Sequence, residues 1–361
     1  MSIFWAKQTV SSKDFLKFFS KRQYINEGSD GAVSQWVDND TGEMVAVKEP
    51  KPDRAHKNRS ELVKFLKVPF HENVVRFLGS ISYHDWATGG PVLIFEFCGY
   101  GDVYEYRKRI LNHEIRVPEI SVWKLMRDLS LALDWVHNRC EQSYVLGDLK
   151  PENVLVFPEA SWDGKGAPLL PTFKICDFGR MERAGETNKY LGTPEFGPPM
   201  AEREIQQTCE VDVFALGCTV HWMALGEFAQ MPGEQFVKYA KEKHGFFVKL
   251  AQLLGGDQRE MWRTLIPPYY RPLNASMEEQ KKIWSLDRPV PPFSTILNKW
   301  YTELFEEDPK RRIGSEALVE FFVPVADLQI ERLKAQRALV IAADNLAVAG
   351  DTLEAVKARY L

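Results

Sequence analysis

VLGDLKPENVLV, residues 145–156, and ICDFG, residues 175–179, decide how the chain is read. An apolar run, an acid, a lysine two positions on, an asparagine three beyond that and a second apolar run predict a strand, a loop and a strand with polar groups at the tip. That tip suits phosphoryl transfer, which asks a protein for positioning and charge neutralisation rather than covalent chemistry. It needs a carboxylate for the proton of an incoming hydroxyl, a cation for the moving phosphoryl group and oxygen ligands for magnesium. Asp148, Lys150, Asn153 and Asp177 make up that inventory. Two β-hairpins with solvated acidic turns are the plain alternative for either segment alone.

Working outward, YINEGSDGAVSQWVDNDTGEMVAVKEP, residues 24–50, reads as strand, glycine turn, strand, tight turn at 39–42, and a third strand carrying Lys48. A glycine-containing hairpin lets backbone N–H groups approach phosphates, and a lysine on the next strand reaches their oxygens. SELVKFLKV, residues 60–68, has helical apolar spacing and carries Glu61, with Glu49 and Glu72 as other acids in reach. PVLIFEFC, residues 91–98, is a further strand. Residues 102–113 and 118–140 read as helices, and His137 on the second reads as a satisfied core or surface imidazole.

In this order the segments resemble the eukaryotic protein kinase family, and the Lys-Pro-Glu-Asn form is similar to its serine/threonine branch. The resemblance implies an α+β, bilobal fold with a β-rich N-lobe and a mainly helical C-lobe. It implies an N-lobe over about 22–97 and a C-lobe over about 98–320, with an N-terminal extension (1–21) and a C-terminal helical tail (321–361). It further implies ATP and Mg²⁺ as cofactors and a protein substrate with a Ser/Thr acceptor. Asp148 matches the catalytic base, Lys150 the γ-phosphate cation, Lys48 and Glu61 the pair that places ATP, and Asn153 and Asp177 the magnesium ligands. Ile25, Asn26, Gly28, Gly31, Val33, Ala46, Glu96, Cys98 and Leu155 match the nucleotide contacts, Glu96 and Cys98 through their backbones. Asn26 stands where the family has its first glycine, and Asn tolerates left-handed backbone angles. Asp102 matches a ribose-contacting position and is equally well placed as a helix N-cap.

Two motifs depart from the family pattern. His-Arg-Asp is replaced by Leu146-Gly147-Asp148; leucine can fill a packing position beside Phe178, Phe65 and Phe77, but Gly147 cannot pair with an activation-loop phosphate. Ala-Pro-Glu is replaced by Pro198-Pro199-Met200, which removes the usual partner of Arg312 and makes Glu202 or Glu204 the candidate replacement. Asp212 matches the aspartate that props the catalytic loop, and Thr193 the threonine that reaches Asp148 and Lys150. FPEASWDGKGAPLLP, residues 157–171, is longer than a hairpin needs and reads as an exposed loop. A nucleotide-binding pseudokinase acting as a scaffold is the second reading, and a small-molecule kinase is disfavoured by Gly192-Thr193-Pro194-Glu195.

Composition agrees with a globular chain: 361 residues, 45% hydrophobic, give a sizeable core. A net charge of −4 supplies no overall positive field for nucleic acid. Five scattered cysteines without a CxxC pair fit reduced thiols, and no long apolar segment opens the chain. The expectation is an intracellular protein, cytoplasmic or nuclear, with no membrane span.

Overall fold

The computed structural model describes residues 7–28, 31–82, 90–231, 242, 269–284 and 286–360. The N-lobe is a six-stranded sheet in the order β1-β5-β6-β4-β3-β2. Its strands are β1 (Gln8–Val10), β2 (Phe19–Glu27), β3 (Gly31–Asp38), β4 (Met44–Pro50), β5 (Phe77–Ile81) and β6 (Val92–Glu96). The turn between β3 and β4 forms because the Asp38 carboxylate accepts the N–H groups of Asp40 and Thr41 at 2.9 and 3.0 Å, and Gly42 takes a φ of +74°. Helix α2 (Ala55–Lys67) turns Phe65 inward, where it stacks on Phe77 at 5.5 Å and meets Phe95 edge-on at 5.0 Å.

Residues 7–21 do not stand apart as the expected separate extension. Helix α1 (Ser12–Phe18), capped by the Ser11 hydroxyl, buries Phe15 against Phe19 and Trp36, with ring centroids 4.7 and 5.1 Å away. Those rings join Val45, Val47, Leu78, Ile81, Val92 and Ile94 in a second core. Strand β1 pairs in parallel with β5. Burying one such aromatic ring contributes about 1.5–3 kcal/mol, so the segment is part of the lobe.

In the C-lobe, α3 (Val103–Leu111) and α4 (Glu119–Asp134) are followed by the pairs β7 (Tyr144–Val145) with β10 (Glu182–Arg183) and β8 (Val154–Phe157) with β9 (Thr172–Ile175). Helices α5 (Met200–Arg203) and α6 (Glu210–Leu225) follow. Helix α6 is buried on nearly every side, which is why its sequence is apolar without a polar face, and Gly226 ends it at φ +78°. Part of the expected helical C-lobe, 232–241 and 243–268, lies outside the described residues.

One further expectation is corrected, and the expected C-terminal helix starts inside the lobe. Residues 157–171 are not a wholly exposed loop: Trp162 packs edge-on to Tyr100 at 5.4 Å, and the Pro168 and Leu169 carbonyls accept hydrogen bonds from the Tyr106 and Ser121 hydroxyls. The polar composition concealed a docked aromatic anchor. The C-terminal segment forms one helix, Val323–Tyr360, whose first turns belong to the lobe, with Ala326 and Ile330 buried and Asp327 paired to Arg127.

His221 on α6 is enclosed, its Nδ1 2.6 Å from the Tyr301 hydroxyl. Burial, aided by the Arg271 cation, pushes its pKa down to about 3. The folded chain holds it neutral while the unfolded chain protonates near the ordinary value, so the unfolded state binds the extra proton in that window. Stability therefore falls as pH drops below the ordinary histidine value. Urea unfolding between about pH 6.5 and about 5.5 is expected to show a loss of about 1 kcal/mol from this residue, and His221→Gln to remove that part of the slope.

Candidate active site

The catalytic loop hangs from one buried carboxylate. Asp212 accepts the N–H groups of Leu146 and Gly147 at 2.7 and 2.9 Å and sits 3.0 Å from His137 Nε2. His137 Nδ1 in turn meets the Ser315 hydroxyl at 3.0 Å, so this imidazole is a satisfied core residue. Gly147 takes φ +71°, in the left-handed region that favours glycine, which lets the loop turn toward Asp148. Leu146 is buried in the same core as Phe65, Phe77 and Phe178, and Phe178 stacks on Phe65 at 4.6 Å.

The loop's polar groups converge. Asp148 Oδ1 accepts the Thr193 N–H at 2.8 Å and the Thr193 hydroxyl at 2.7 Å. Lys150 donates to the same hydroxyl oxygen at 2.8 Å, with its ammonium 3.4 Å from the other Asp148 oxygen. Asn153 Nδ2 donates to the Asp148 carbonyl at 2.8 Å, and the Cys176 N–H donates to the Asn153 carbonyl at 2.9 Å. Thus the two quoted segments, far apart in sequence, are tied together next to Asp177.

Across the cleft, Lys48 donates to both Glu61 oxygens at 3.0 and 2.8 Å and to Asp177 Oδ1 at 3.1 Å. Glu61, rather than Glu49 or Glu72, is the lysine's acid; Glu49 pairs with Lys21. Burial opposes the Lys48 charge, but the Glu61 and Asp177 carboxylates outweigh it and hold its pKa above the ordinary lysine value. Burial alone would raise the Asp177 pKa, yet Lys48 holds it below the usual carboxylate range. Glu61 moves the other way, pushed up by burial against the pull of Lys48. Asp177 also has φ +61°, a strained backbone of the kind that persists where surrounding contacts over-determine it.

The glycine hairpin corrects one expectation. Asn26 is not left-handed; it lies in β2, beside a register irregularity, with its Oδ1 accepting the Glu27 N–H at 2.7 Å. The turn closes instead through the Gly28 N–H on the Gly31 carbonyl at 2.9 Å, with Ser29 and Asp30 outside the described residues. Gly31 is required by close approach, since a Cβ there would stand 2.3 Å from the Glu49 carbonyl oxygen. Val33 pairs with Lys48, Ala46 with Phe95 and Leu155 with Lys174, and Ala46, Cys98 and Leu155 are half-buried. Ile25, at the end of β2, is exposed. The Glu96 side chain is taken up by Lys174 at 2.8 and 3.0 Å, leaving only its backbone for a nucleotide. Asp102 caps α3 through the Glu105 N–H at 2.9 Å.

For a metal, Asp177 and Asn153 offer hard oxygen donors. Among the described residues no group of three or more His, Cys, Asp or Glu forms a cage.

Two residues escaped the sequence reading. Arg203 is buried and donates to the carbonyls of Pro198 and Pro194 at 2.7 and 2.9 Å, bracing the loop that carries Thr193. Arg180 approaches Asp148 at 3.9 Å. Arg203 binds backbone carbonyls, which leave no side-chain signal in a sequence, and Arg180 meets Asp148 only through the fold. Arg312 pairs with Glu202 through two hydrogen bonds of 3.0 and 2.9 Å, while Glu204 is exposed. Cations do line the cavity of about 200 Å³ beside Thr187, namely Lys57, Arg180, Arg183 and Lys189. Yet Gly147, which also lines it, has no side chain with which to hold a phosphate against the catalytic loop. Thr187→Ala is therefore expected to keep phosphotransfer within about twofold; a larger drop, measured at equal folded protein, would mean that a phosphate on this loop is needed.

The profile of the family described as "Protein kinase domain" matches residues 19–322. Among curated proteins, the chain is similar to mitogen-activated protein kinase kinase kinase ANP1 of Arabidopsis thaliana, 28% identical over 223 residues, covering 57% of this chain and 30% of the relative. It is also similar to probable serine/threonine-protein kinase nek2 of Dictyostelium discoideum, 24% identical over 207 residues, covering 55% of this chain and 46% of the relative. Each match spans less than half of the relative's own length.

Proposed function

Because the chain belongs to the protein kinase family, we propose that it is an active serine/threonine protein kinase that moves the γ-phosphoryl group of ATP to a hydroxyl on a protein substrate. One observation carries the reading: Asp148 Oδ1 accepts the Thr193 hydroxyl at 2.7 Å while the Lys150 ammonium donates to that hydroxyl's oxygen at 2.8 Å. A substrate serine or threonine bound at this spot meets a carboxylate within proton-transfer reach. Lys150 offsets the charge that develops on the transferring group, and Lys48, held by Glu61, is poised for the other phosphates. Gly28 and Gly31 let backbone N–H groups approach those phosphates, with Val33, Ala46, Leu155 and Ile25 against the base and Glu96 and Cys98 meeting its edge through their backbones. Asp177 and Asn153 would hold Mg²⁺, which when bound neutralises phosphate charge. An intracellular place, cytoplasmic or nuclear, goes with this reading and with five free cysteines.

A pseudokinase scaffold draws on Gly147, Asn26 and Met200, the positions that depart from the family. None of the three supplies a group to the reacting atoms. Single-turnover transfer from Mg-ATP to a peptide array, run beside Asp148→Asn, separates the readings. Transfer that disappears in the variant supports the kinase; equal background from both chains leaves the scaffold.

A further inference from the structure

We propose that Lys7 is a positioning residue for phosphotransfer, a cation that clamps the C-terminal end of α2 and so keeps Glu61 in reach of Lys48. This rests on the kinase reading above. The Lys7 ammonium donates to the Phe65 carbonyl at 3.0 Å and the Val68 carbonyl at 2.7 Å. These carbonyls lie at the end of α2, where a helix runs out of its own donors and its dipole favours positive charge. At the other end, Arg54 gives α2 no side-chain cap. The helix that carries Glu61 is therefore held by Lys48 in its middle and by Lys7 at its end.

The chain goes to some cost to present this lysine. Among the described residues only Lys7 and Asp177 are non-glycine with positive φ, and Lys7 stands at +55°. For a lysine that backbone is unfavourable and persists because neighbouring contacts outweigh it. Its N–H donates to the Leu78 carbonyl at 3.2 Å, and Thr9 and Ser80 hydroxyls meet at 2.9 Å across the β1–β5 pair. The receiving edge is cut to fit: a Cβ on Gly79 would stand 2.7 Å from the Gln8 carbonyl oxygen. Partial burial works against the Lys7 charge and lowers its pKa, and the two carbonyls offset that cost. Phe65, whose carbonyl Lys7 grips, also stacks on Phe178 of the Asp177 loop. The clamp thus bears on both halves of the ATP-placing site.

The test compares the full chain with Lys7→Met, Lys7→Arg and a control, Lys13→Met on the exposed face of α1, by amide hydrogen exchange and by kcat. Lys7→Met is expected to speed exchange over residues 62–67 about three- to tenfold and to lower kcat by a similar factor, with Lys7→Arg recovering most of both and the control changing neither. In a Glu61→Gln background, where the ion pair is already gone, Lys7→Met should add nothing to the loss of kcat. Unchanged exchange over residues 62–67, or the same further fall of kcat in the Glu61→Gln background, overturns the proposal. A wild-type chain that transfers no phosphate sinks the kinase reading, and with it the catalytic part of the clamp, while the exchange comparison still decides whether Lys7 holds α2.

Discussion

Asp148→Asn is expected to lower kcat by about 10²- to 10⁴-fold, the range in which a positioned proton acceptor contributes. The substitution is close to isosteric. An amide oxygen can still accept the Thr193 N–H that lies 2.8 Å from Asp148 Oδ1, so the loop should keep its shape. What is lost is the ability to take the proton of an incoming hydroxyl and the negative charge facing Lys150 at 3.4 Å. Single-turnover transfer at saturating Mg-ATP, alongside thermal unfolding of both chains, measures the effect without confusing it with lost fold. A variant that keeps more than about a tenth of the wild-type rate would mean that Asp148 is not the proton acceptor.

Glu202→Ala carries the largest expected cost to stability. The Arg312 side chain is fully buried and that of Glu202 nearly so, at 0% and 5% exposure, with two hydrogen bonds between them. Removing one partner of a buried pair leaves an uncompensated charge and costs about 3–5 kcal/mol. The carbonyls of Glu306 and Glu210, 2.9 and 2.7 Å from the guanidinium, soften the loss but supply no counter-charge. Glu204→Ala, at an exposed position, should stay within about 0.5 kcal/mol. Urea denaturation of the two variants side by side decides it: equal midpoints would mean that the Arg312 charge does not depend on Glu202. The outcome also bears on function, since α5 carries Glu202 directly after the loop that holds Thr193.

The residues proposed for the chemistry could be picked out of the sequence, and are brought together in the fold, because phosphotransfer would constrain their local spacing. Asp148, Lys150 and Asn153 come from one short loop whose backbone sets their separations, and Asp177 follows a strand that pairs with that loop's own strand. Lys48 was legible for the same reason, sitting on a strand next to a glycine turn. Glu61 was the acid expected for Lys48, with Glu49 and Glu72 also in reach, because a sequence shows that a helix carries it but not which face turns to Lys48. Packing of Phe65 against Phe77 and Phe178 settles that face.

What the amino-acid order determined by itself is the kind of chemistry and the two-lobed plan, since local spacing and apolar periodicity are properties of neighbouring residues. Only the tertiary structure decided that Glu202 rather than Glu204 answers Arg312, that Trp162 anchors residues 157–171, and that Gln8–Val10 complete the N-lobe sheet and set Lys7 on the end of α2. Each of those outcomes joins positions remote in sequence, as the Lys7 to Val68 separation of 61 and the Glu202 to Arg312 separation of 110 illustrate. A charge or an aromatic ring chooses its partner from whatever the packed core brings within reach, and no local pattern records that choice.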